Sequence, residues 1–339
     1  MAPATSNPSL SILMPVRNEE QHLPAALASL SAQSFRDWEL VAVDDGSTDR
    51  TPDILARAAA ADARVRVLAT GGQGLVPALN LGLAECRSEL VARMDGDDIS
   101  HPARLQAQIG YLAAHPEVGL LATSFHHFPR RHIGSGMMGY QQWQNSLLCH
   151  DAILADIFVE SPFVHPSVIF RKEEVLQVGG YRDMGWAEDY DLWLRLAAAG
   201  TRFARLPETL FFWRERPERT TRTNPAYAAQ AMRLCKLHHL LQGFLKGERS
   251  VILAGAGLEG RAWYRILGEV GIRVEAWVDV DPKKIGRQLH GAPVLATRDL
   301  ETSGTKLLMT VGARGARAVV RESTRQAGFV EGIDAVCVA

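Results

Sequence analysis

The sequence predicts an α/β fold: a doubly wound, mostly parallel sheet followed by a second, smaller α/β domain. Three observations lead there. Short apolar runs alternate with helical patterns from the start of the chain. That rhythm breaks after residue 122 and restarts at Ser250. The 339 residues also exceed the roughly 100 to 200 of an ordinary domain.

In chain order, "LSILMPV" precedes the helical pattern "EEQHLPAALASLSAQ", "WELVAVDD" precedes "TPDILARAAAAD", "VRVLAT" precedes "GLVPALNLGLAEC", and "LVARMD" precedes "HPARLQAQIGYLAAH". Near-continuous apolar runs bounded by turn formers suit strands covered by helices on both faces. Ser100 with Pro102 just inside, and Thr51 before Pro52, read as helix starts. Residues 123–160 mix His, Arg, Gln and aromatic residues without a period, as a variable substrate-facing segment would. "PSVIFR" resumes a strand, and "AEDYDLWLRLAAAG" reads as a helix that buries Leu192, Trp193 and Leu196 and stops at Gly200. The first domain is therefore set at 1–222. Residues 223–247 form a helical linker capped by Asn224 and Pro225; its apolar stripe favours core packing over a membrane-surface contact through Lys236, Lys246 and Arg249. Residues 248–339 return to strand-helix alternation as the second domain.

Composition narrows the function. Lys plus Arg (37) balance Asp plus Glu (38), so no chain-wide field favours nucleic acid or an anionic membrane. Cys86, Cys149, Cys235 and Cys337 lie far apart without a C-x-x-C pair, the usage of reduced thiols in the cytoplasm. No run approaches the ~20 apolar residues that cross a bilayer, and the N-terminus lacks a basic start and a long apolar run. A soluble cytoplasmic protein is expected, with membrane contact at most peripheral, at the inner face.

Open parallel sheets bind ligands beyond the carboxyl ends of their strands. That rule selects "MPVRNEE", "DDGSTD" and "DGDD". In extended backbone Asp95 and Asp97 point to one side, and Gly96 between them permits close approach. Such hard carboxylates suit Mg²⁺ or Mn²⁺, whose shell is completed by water and phosphate oxygens. Without a cation the three acids Asp95, Asp97 and Asp98 repel and raise one another's pKa. A plainer use for Asp97 and Asp98 is to favour the next helix N-terminus, worth under about 1 kcal/mol. Asp44, Asp45, Ser47 and Asp49 likewise suit turn and capping chemistry. Arg17 and Arg93 either reach phosphates or pair at the surface. In "AEDYD", Asp189 and Asp191 point roughly 200° apart on a helix, so only one faces a cleft.

Taken together, "LSILMPVRNEE", "ELVAVDDGSTD", "PALNLGLAECRSELVARMDGDDI" and "SPFVHPSVIFR...VGGY...AEDYDLWLRLAAAG" resemble the family 2 glycosyltransferases of the GT-A fold, from about Leu10 to Arg214. The resemblance implies a metal-dependent, inverting transfer of a sugar from a nucleotide-diphosphate sugar, a UDP-sugar favoured, to a glycan, lipid-linked or other hydroxyl acceptor in surface-polysaccharide or glycoconjugate assembly. It makes Asp95-Gly96-Asp97 the D-x-D motif, with Asp97 the direct ligand of Mn²⁺ or Mg²⁺, Asp95 nearer the ribose and Asp98 supportive. Asp45 would accept the base N3–H, a role that fits guanine as well as uracil, and Pro15, Val16 and Asn18 would line the nucleotide pocket. Asp189 would be the base, Glu188 would help position the acceptor, and His165 and Trp186 would lie on the acceptor side. The chain departs from the family where many members carry a histidine after a "Y-R" pair; here Trp213-Arg214 is followed by Arg216. The Q-x-x-R-W signature of processive synthases is absent, which implies one sugar per encounter. His126, His127, His132 and His150 show no zinc spacing.

In the C-terminal domain, Gly255, Gly257 and Gly260 form a G-x-G-x-x-G between a strand and a helix, and Asp279 follows nineteen residues after the last glycine. This context suits a dinucleotide phosphate loop with an acid for the ribose. "GAGLEG...VDVDPKKIGRQLHGAPVL" resembles the small sugar-nucleotide-binding domains found ahead of some sugar acyltransferases, a Rossmann-like fold that implies a nucleotide ligand of unknown identity. A purely structural role stays open, since Glu259 precedes the third glycine and would repel phosphate. Two other functions compete for the whole chain: a sugar-1-phosphate nucleotidyltransferase, which would want a "G-x-G-T-R" loop in place of "MPVRNEE", and a noncatalytic sensor of nucleotide sugar or NAD.

Overall fold

The computed structural model describes residues 7–217, 219–302, 304–312 and 315–339. They form two compact units. The first runs from residue 7 to Ile153 and includes Pro162–Met184 and Glu188–Asn224; the second comprises Leu154–Ser161, Gly185–Ala187 and Pro225–Ala339.

The first elements are β1 (Leu10–Val16), α1 (Leu23–Ser31), β2 (Trp38–Asp44), α2 (Thr51–Ala61), β3 (Val65–Ala69), α3 (Leu75–Glu85) and β4 (Leu90–Arg93). They continue with β5 (Ile99–Ser100), α4 (Arg104–Ala114), β6 (Val118–Phe128), α5 (Ser135–Ser146), α6 (His150–Asp156), β7 (Ile169–Arg171), α7 (Lys172–Gln177), α8 (Glu188–Ala198), β8 (Arg202–Arg214) and α9 (Thr220–Thr223). The eight strands order as β3-β2-β1-β4-β7-β6-β8-β5. β3, β2, β1 and β4 are mutually parallel, whereas β7 runs antiparallel to both β4 and β6, and β5 antiparallel to β8.

The doubly wound half follows from its side chains. Leu10, Ile12, Met14 and Val16 alternate onto one face and share a core with Leu23, Ala26 and Leu30 of α1, Leu55 of α2, and Leu105 and Leu112 of α4. On the other face α3 approaches so closely that a Cβ on Gly82 would lie 2.2 Å from Leu13 Cδ1. Both faces of β1 are thus covered, which is why all seven of its residues are buried.

Two expected helix starts fall elsewhere, at Ser100 and Asn224, and the one at Thr51 is met. Ser100 sits in β5, where its hydroxyl accepts from Gln33 Nε2 (3.1 Å), and α4 starts after Ala103. Thr51 is the first residue of α2, and its Oγ1 accepts the Glu19 amide (2.8 Å). Asn224 precedes a short 3₁₀ turn, Pro225–Tyr227, and the helix beyond it begins after Ala228.

The second unit contains that helix, α10 (Ala229–Gln242), then β9 (Ser250–Ala254), α11 (Leu258–Glu269), β10 (Arg273–Asp279), β11 (Gln288–Leu289), β12 (Ala292–Ala296), β13 (Lys306–Met309), α12 (Ala316–Gln326) and β14 (Ala335–Cys337). Its sheet orders as β11-β12-β10-β9-β13-β14, parallel except for β11. Leu237, Leu240 and the following Leu245 join Trp263 and Trp277 in its core. Lys236 is buried and donates to the Val159 and Val338 carbonyls (2.6 and 3.1 Å), so it does not offer the surface charge that a membrane contact would use. Among the described residues no helix is long and apolar enough to cross a membrane.

The glycines of this unit separate by role. A Cβ on Gly260 would lie 1.9 Å from the Gly255 carbonyl oxygen, whereas one on Gly257 meets nothing within 4 Å. Gly260→Ala is expected to destabilise by about 1–3 kcal/mol, the usual cost of overpacking. Gly257→Ala should cost under about 1 kcal/mol, as an N-cap change does. Denaturant titration of the two variants compares them directly; equal midpoints would refute this assignment.

Candidate functional site

The carboxyl ends of β2, β1 and β4 lie side by side, because those strands are neighbours in one parallel sheet. Beyond β4 the chain does not stay extended. Gly96 and Asp97 form a turn, and β5 then pairs with Phe211 and Phe212 of β8. This turn, rather than strand alternation, brings oxygen atoms of Asp95, Asp97 and Asp98 within 4.8 Å of one another. The end of β8 pins it: the Arg214 amide donates to Asp98 Oδ1 (2.7 Å), and Arg214 Nε to the Asp97 carbonyl (2.6 Å). Gly96 is needed here, since a Cβ would sit 2.8 Å from Val16 Cγ1 and 3.5 Å from Glu19 Cγ.

Glu19 is therefore a fourth carboxylate against the turn. Burial, then Asp97, raise its pKa to about 7. Burial, then Asp95, also raise Asp97; burial followed by Asp97 and Asp95 holds Asp98 well above the usual carboxylate range. Asp98 Oδ2 and Glu19 Oε2 are buried and accept no hydrogen bond. A cluster of hard oxygens with unsatisfied acceptors fits a divalent cation such as Mg²⁺ or Mn²⁺. On the outer side Arg216 Nε lies 3.1 Å from Asp97 Oδ2, and Arg216 Nη2 donates to Glu19 Oε1.

The expected nucleotide side gathers at β1 and β2. Pro15 and Val16 pair with Val43 and Asp44. Asn18, at φ 54°, donates its amide to Ser47 Oγ (2.9 Å) and accepts the Thr48 amide (2.8 Å). The Asp45 carboxylate accepts from Thr70 Oγ1 (2.5 Å) and from the Gly74 amide on both oxygens (3.0 and 3.1 Å), with Arg17 Nη1 at 3.4 Å. Asp49 does capping work, accepting the Thr51 and Glu20 amides (2.9 and 3.0 Å).

Glu188 and Asp189 open α8. Asp191, on the turned-away side, is buried against Arg195 (2.7 Å), the separation that helical geometry demands. Asp189 is half-buried; burial and then Glu188 push its pKa well up, while Arg93 opposes them. Glu188 Oε1 lies 3.6 Å from His165 Nδ1, and His165 Nε2 shares a hydrogen bond with the Tyr181 hydroxyl (2.9 Å). His165 is buried, and burial followed by Arg93 lowers its pKa. Trp186 falls in the second unit, its ring 5.3 Å from that of His238.

Arg93 joins the two groups of acids. Instead of pairing at the surface, it is 2% exposed, donates from Nη2 to Asp95 Oδ1 (2.6 Å) and also bonds the Met94 carbonyl. The same charge acts on Asp189 and on His165. The strand end is fixed from beneath by Arg104, which donates to the carbonyls of Arg93 (3.0 Å) and Val168 (3.3 Å) and to Gln108 Oε1 (3.0 Å). Gln108 in turn bonds the Leu121 and Ser167 carbonyls (3.0 and 3.1 Å). Sequence reasoning missed this pair. Its one signal is the presence of polar residues 104 and 108 in the α4 stripe that buries Leu105 and Leu112.

In the second unit Asp279 is engaged by its own chain. Burial favours the neutral acid, but Lys284 Nζ (2.8 Å) and the Ala256 and Asp281 amides (2.9 Å each) outweigh it and hold the pKa down. Glu259, at the start of α11, pairs with Arg233 (2.6 Å). A cavity of about 350 Å³ opens beside Asp279, lined also by Val280, Ile285, Thr297 and Arg298.

The first unit is a GT-A-type sheet, the fold of nucleotide-sugar enzymes, with an acidic turn at the end of its fourth strand. Residues 11–179 match the model of the family described as Glycosyl transferase family 2, and the chain belongs to that family. It is 35% identical over 203 residues to the amylovoran biosynthesis glycosyltransferase AmsE of Erwinia amylovora, spanning 59% of this chain and 74% of that one. It is also 35% identical over 127 residues to the UDP-Gal:alpha-D-GlcNAc-diphosphoundecaprenol beta-1,3-galactosyltransferase of Escherichia coli, spanning 38% of this chain and 44% of that one. In fold it resembles S. aureus TarS solved with UDP-GlcNAc, at a TM-score of 0.56 and 19% identity over 69% of this chain and 66% of that chain.

Arg104→Met is expected to lower stability by about 1–3 kcal/mol, because the buried Arg93 carbonyl and Gln108 Oε1 lose the Arg104 donor while the Val168 carbonyl keeps the Arg93 amide. Urea unfolding measures it; an unchanged midpoint would show that Arg104 does not hold the strand end.

Proposed function

We propose that the chain is a metal-dependent, inverting, non-processive glycosyltransferase that moves a sugar from a nucleotide-diphosphate sugar to a hydroxyl in surface-polysaccharide or glycoconjugate assembly. One observation supports this above the rest: the acidic turn at Asp95, Asp97 and Asp98 and the acid at Asp189 share the field of one buried guanidinium, Arg93. In this reading the cation site and the candidate base face one cleft.

In this reading Asp97 and Asp95, supported by Asp98, hold Mn²⁺ or Mg²⁺, which when bound offsets the charge developing on the departing diphosphate. Pro15, Val16, Asn18 and Asp45 shape the nucleotide pocket, with a UDP-sugar favoured by likeness to relatives whose names include UDP donors. Asp189 takes the proton of the acceptor hydroxyl as its oxygen attacks the anomeric carbon, a role worth about 10²–10⁴-fold. Attack opposite the leaving group in a single step inverts the configuration. Glu188, held by His165 and through it by Tyr181, fixes the start of α8 and so the position of Asp189. Trp186 belongs to the acceptor side in this proposal. The acceptor is a glycan or a lipid-linked saccharide, as the name of the galactosyltransferase relative suggests.

We assign 1–222 to transfer, 223–247 to a helical link whose α10 packs into the core of the second unit, and 248–339 to a Rossmann-like domain that either binds a nucleotide through Gly255, Gly257, Gly260 and Asp279 or serves assembly alone. Calorimetry with a panel of nucleotides separates these. The nucleotidyltransferase reading is disfavoured because β1 leads into Asn18 and Glu19 rather than a glycine-rich phosphate loop.

Asp97→Asn is expected to weaken Mn²⁺-dependent donor hydrolysis at least about 100-fold, and Asp189→Asn to retain donor binding while transfer falls by about 10²–10⁴-fold. Undiminished hydrolysis in the first, or transfer in the second, refutes the assigned role. Because Asp189 acts as a carboxylate and its pKa is raised, activity should fail on acidification above the ordinary value of about 4. Glu188→Gln removes a charge that raises that pKa, so the acid limb of kcat should move to lower pH. A limb that moves upward contradicts the assignment.

A further inference from the structure

We propose that Arg216, anchored by Glu19, competes with a divalent cation for Asp97 and passes to the donor diphosphate when the metal binds. The inference rests on the metal-dependent reading above and adds two residues, Glu19 and Arg216, to its machinery.

The two come from different parts of the chain and meet on the acidic turn. Glu19 follows β1, and its side chain packs over Gly96, where a Cβ would approach Glu19 Cγ to 3.5 Å. Arg216 follows β8, two residues beyond the Arg214 that pins the turn. Its guanidinium spans the gap, with Nη2 donating to Glu19 Oε1 and Nε 3.1 Å from Asp97 Oδ2. The four carboxylates are neutralised unevenly. Asp95 has Arg93 at 2.6 Å, and Asp97 has Arg216. Asp98, 1% exposed, receives the Arg214 amide on Oδ1, while Oδ2 is buried without a hydrogen bond. The cluster thus retains acceptor capacity for a cation while a side-chain cation stands on its outer oxygen.

A divalent ion and a guanidinium cannot share Asp97 Oδ2 without repulsion. An ion would be held by Asp97 and Asp95 together, with Asp98 supporting, so the single guanidinium contact is the one it would displace. Arg216 is about one-quarter exposed, which leaves it a path outward, and Glu19 keeps it beside the turn. A guanidinium so held matches two oxygens of a diphosphate in a fork. Glu19 is a positioning residue in this arrangement. The consequence is coupling: metal competes with Arg216 when alone, and the competition ends once a diphosphate accepts the guanidinium. Metal and nucleotide therefore strengthen each other.

The test uses the full chain, with Mn²⁺ binding followed by electron paramagnetic resonance without nucleotide, and binding of UDP or GDP by calorimetry at saturating Mn²⁺. Arg216→Met should bind Mn²⁺ alone about fivefold more tightly than wild type, and the nucleoside diphosphate about tenfold more weakly, within the usual range of coupled sites. Tighter metal binding is a gain that misfolding does not produce. Arg216→Lys should keep the competition, giving Mn²⁺ affinity near wild type. Glu19→Gln should weaken the nucleotide, and adding it to Arg216→Met should cost little more. The proposal is overturned if Arg216→Met binds Mn²⁺ no more tightly than wild type, or if the Glu19→Gln and Arg216→Met losses of nucleotide affinity simply add. Wild type that binds no Mn²⁺, or binds it equally in Asp97→Asn, instead refutes the metal reading and this proposal with it.

Discussion

The first unit depends on how it tolerates concentrated negative charge at the end of β4. Three carboxylates within 4.8 Å, with a fourth packed on the glycine between two of them, would drive an unsupported loop apart. The fold answers with fixed donors. Arg93 reaches Asp95 from inside the sheet, while Arg214 holds the turn by both its amide and its guanidinium. Those contacts fix β8 beside β5, so the mixed half of the sheet is organised around the same acids that the parallel half delivers.

Much of this was legible in the sequence, for identifiable reasons. β1 to β4 and their helices are local and periodic, and apolar runs such as "LSILMPV" show them without tertiary information. The acids at 95, 97 and 98 stand at a strand end, where an open parallel sheet binds its ligands. The illegible parts are those set by distant partners. β8 crosses "LPETLFFWR" with register shifts against β6, so no clean alternation marks it. Ser100 looked like a cap because local chemistry allowed one, but pairing with β8 took its backbone instead. Arg93 looked like a surface cation because nothing nearby in sequence reveals that Arg104, bound to the Arg93 and Val168 carbonyls, closes the space beneath it.

Burial is the common cause behind the unusual electrostatics. Removing water raises Asp98 and Asp189 and lowers His165, each before any neighbour acts. Neighbours then sort the groups. Arg93 opposes the rise in Asp189, while Glu188 reinforces it. A carboxyl in this setting accepts a proton more readily than a solvated aspartate.

The second unit shows the limit of motif reasoning. Its three glycines and Asp279 have the spacing of a dinucleotide site, and β9 runs parallel to β10 and β13. The side chains divide the motif into separate tasks, however. Gly260 allows α11 to close on the Gly255 carbonyl, and Asp279 ties the glycine loop to Lys284 through the Ala256 amide. Both are needed whether or not a nucleotide binds. Gly257 alone faces open space, so it is the position in the motif that packing does not explain. A motif whose members are mostly consumed by holding their own loop is explained by local packing first. Its evidence for a ligand rests on the one glycine that the fold leaves unused.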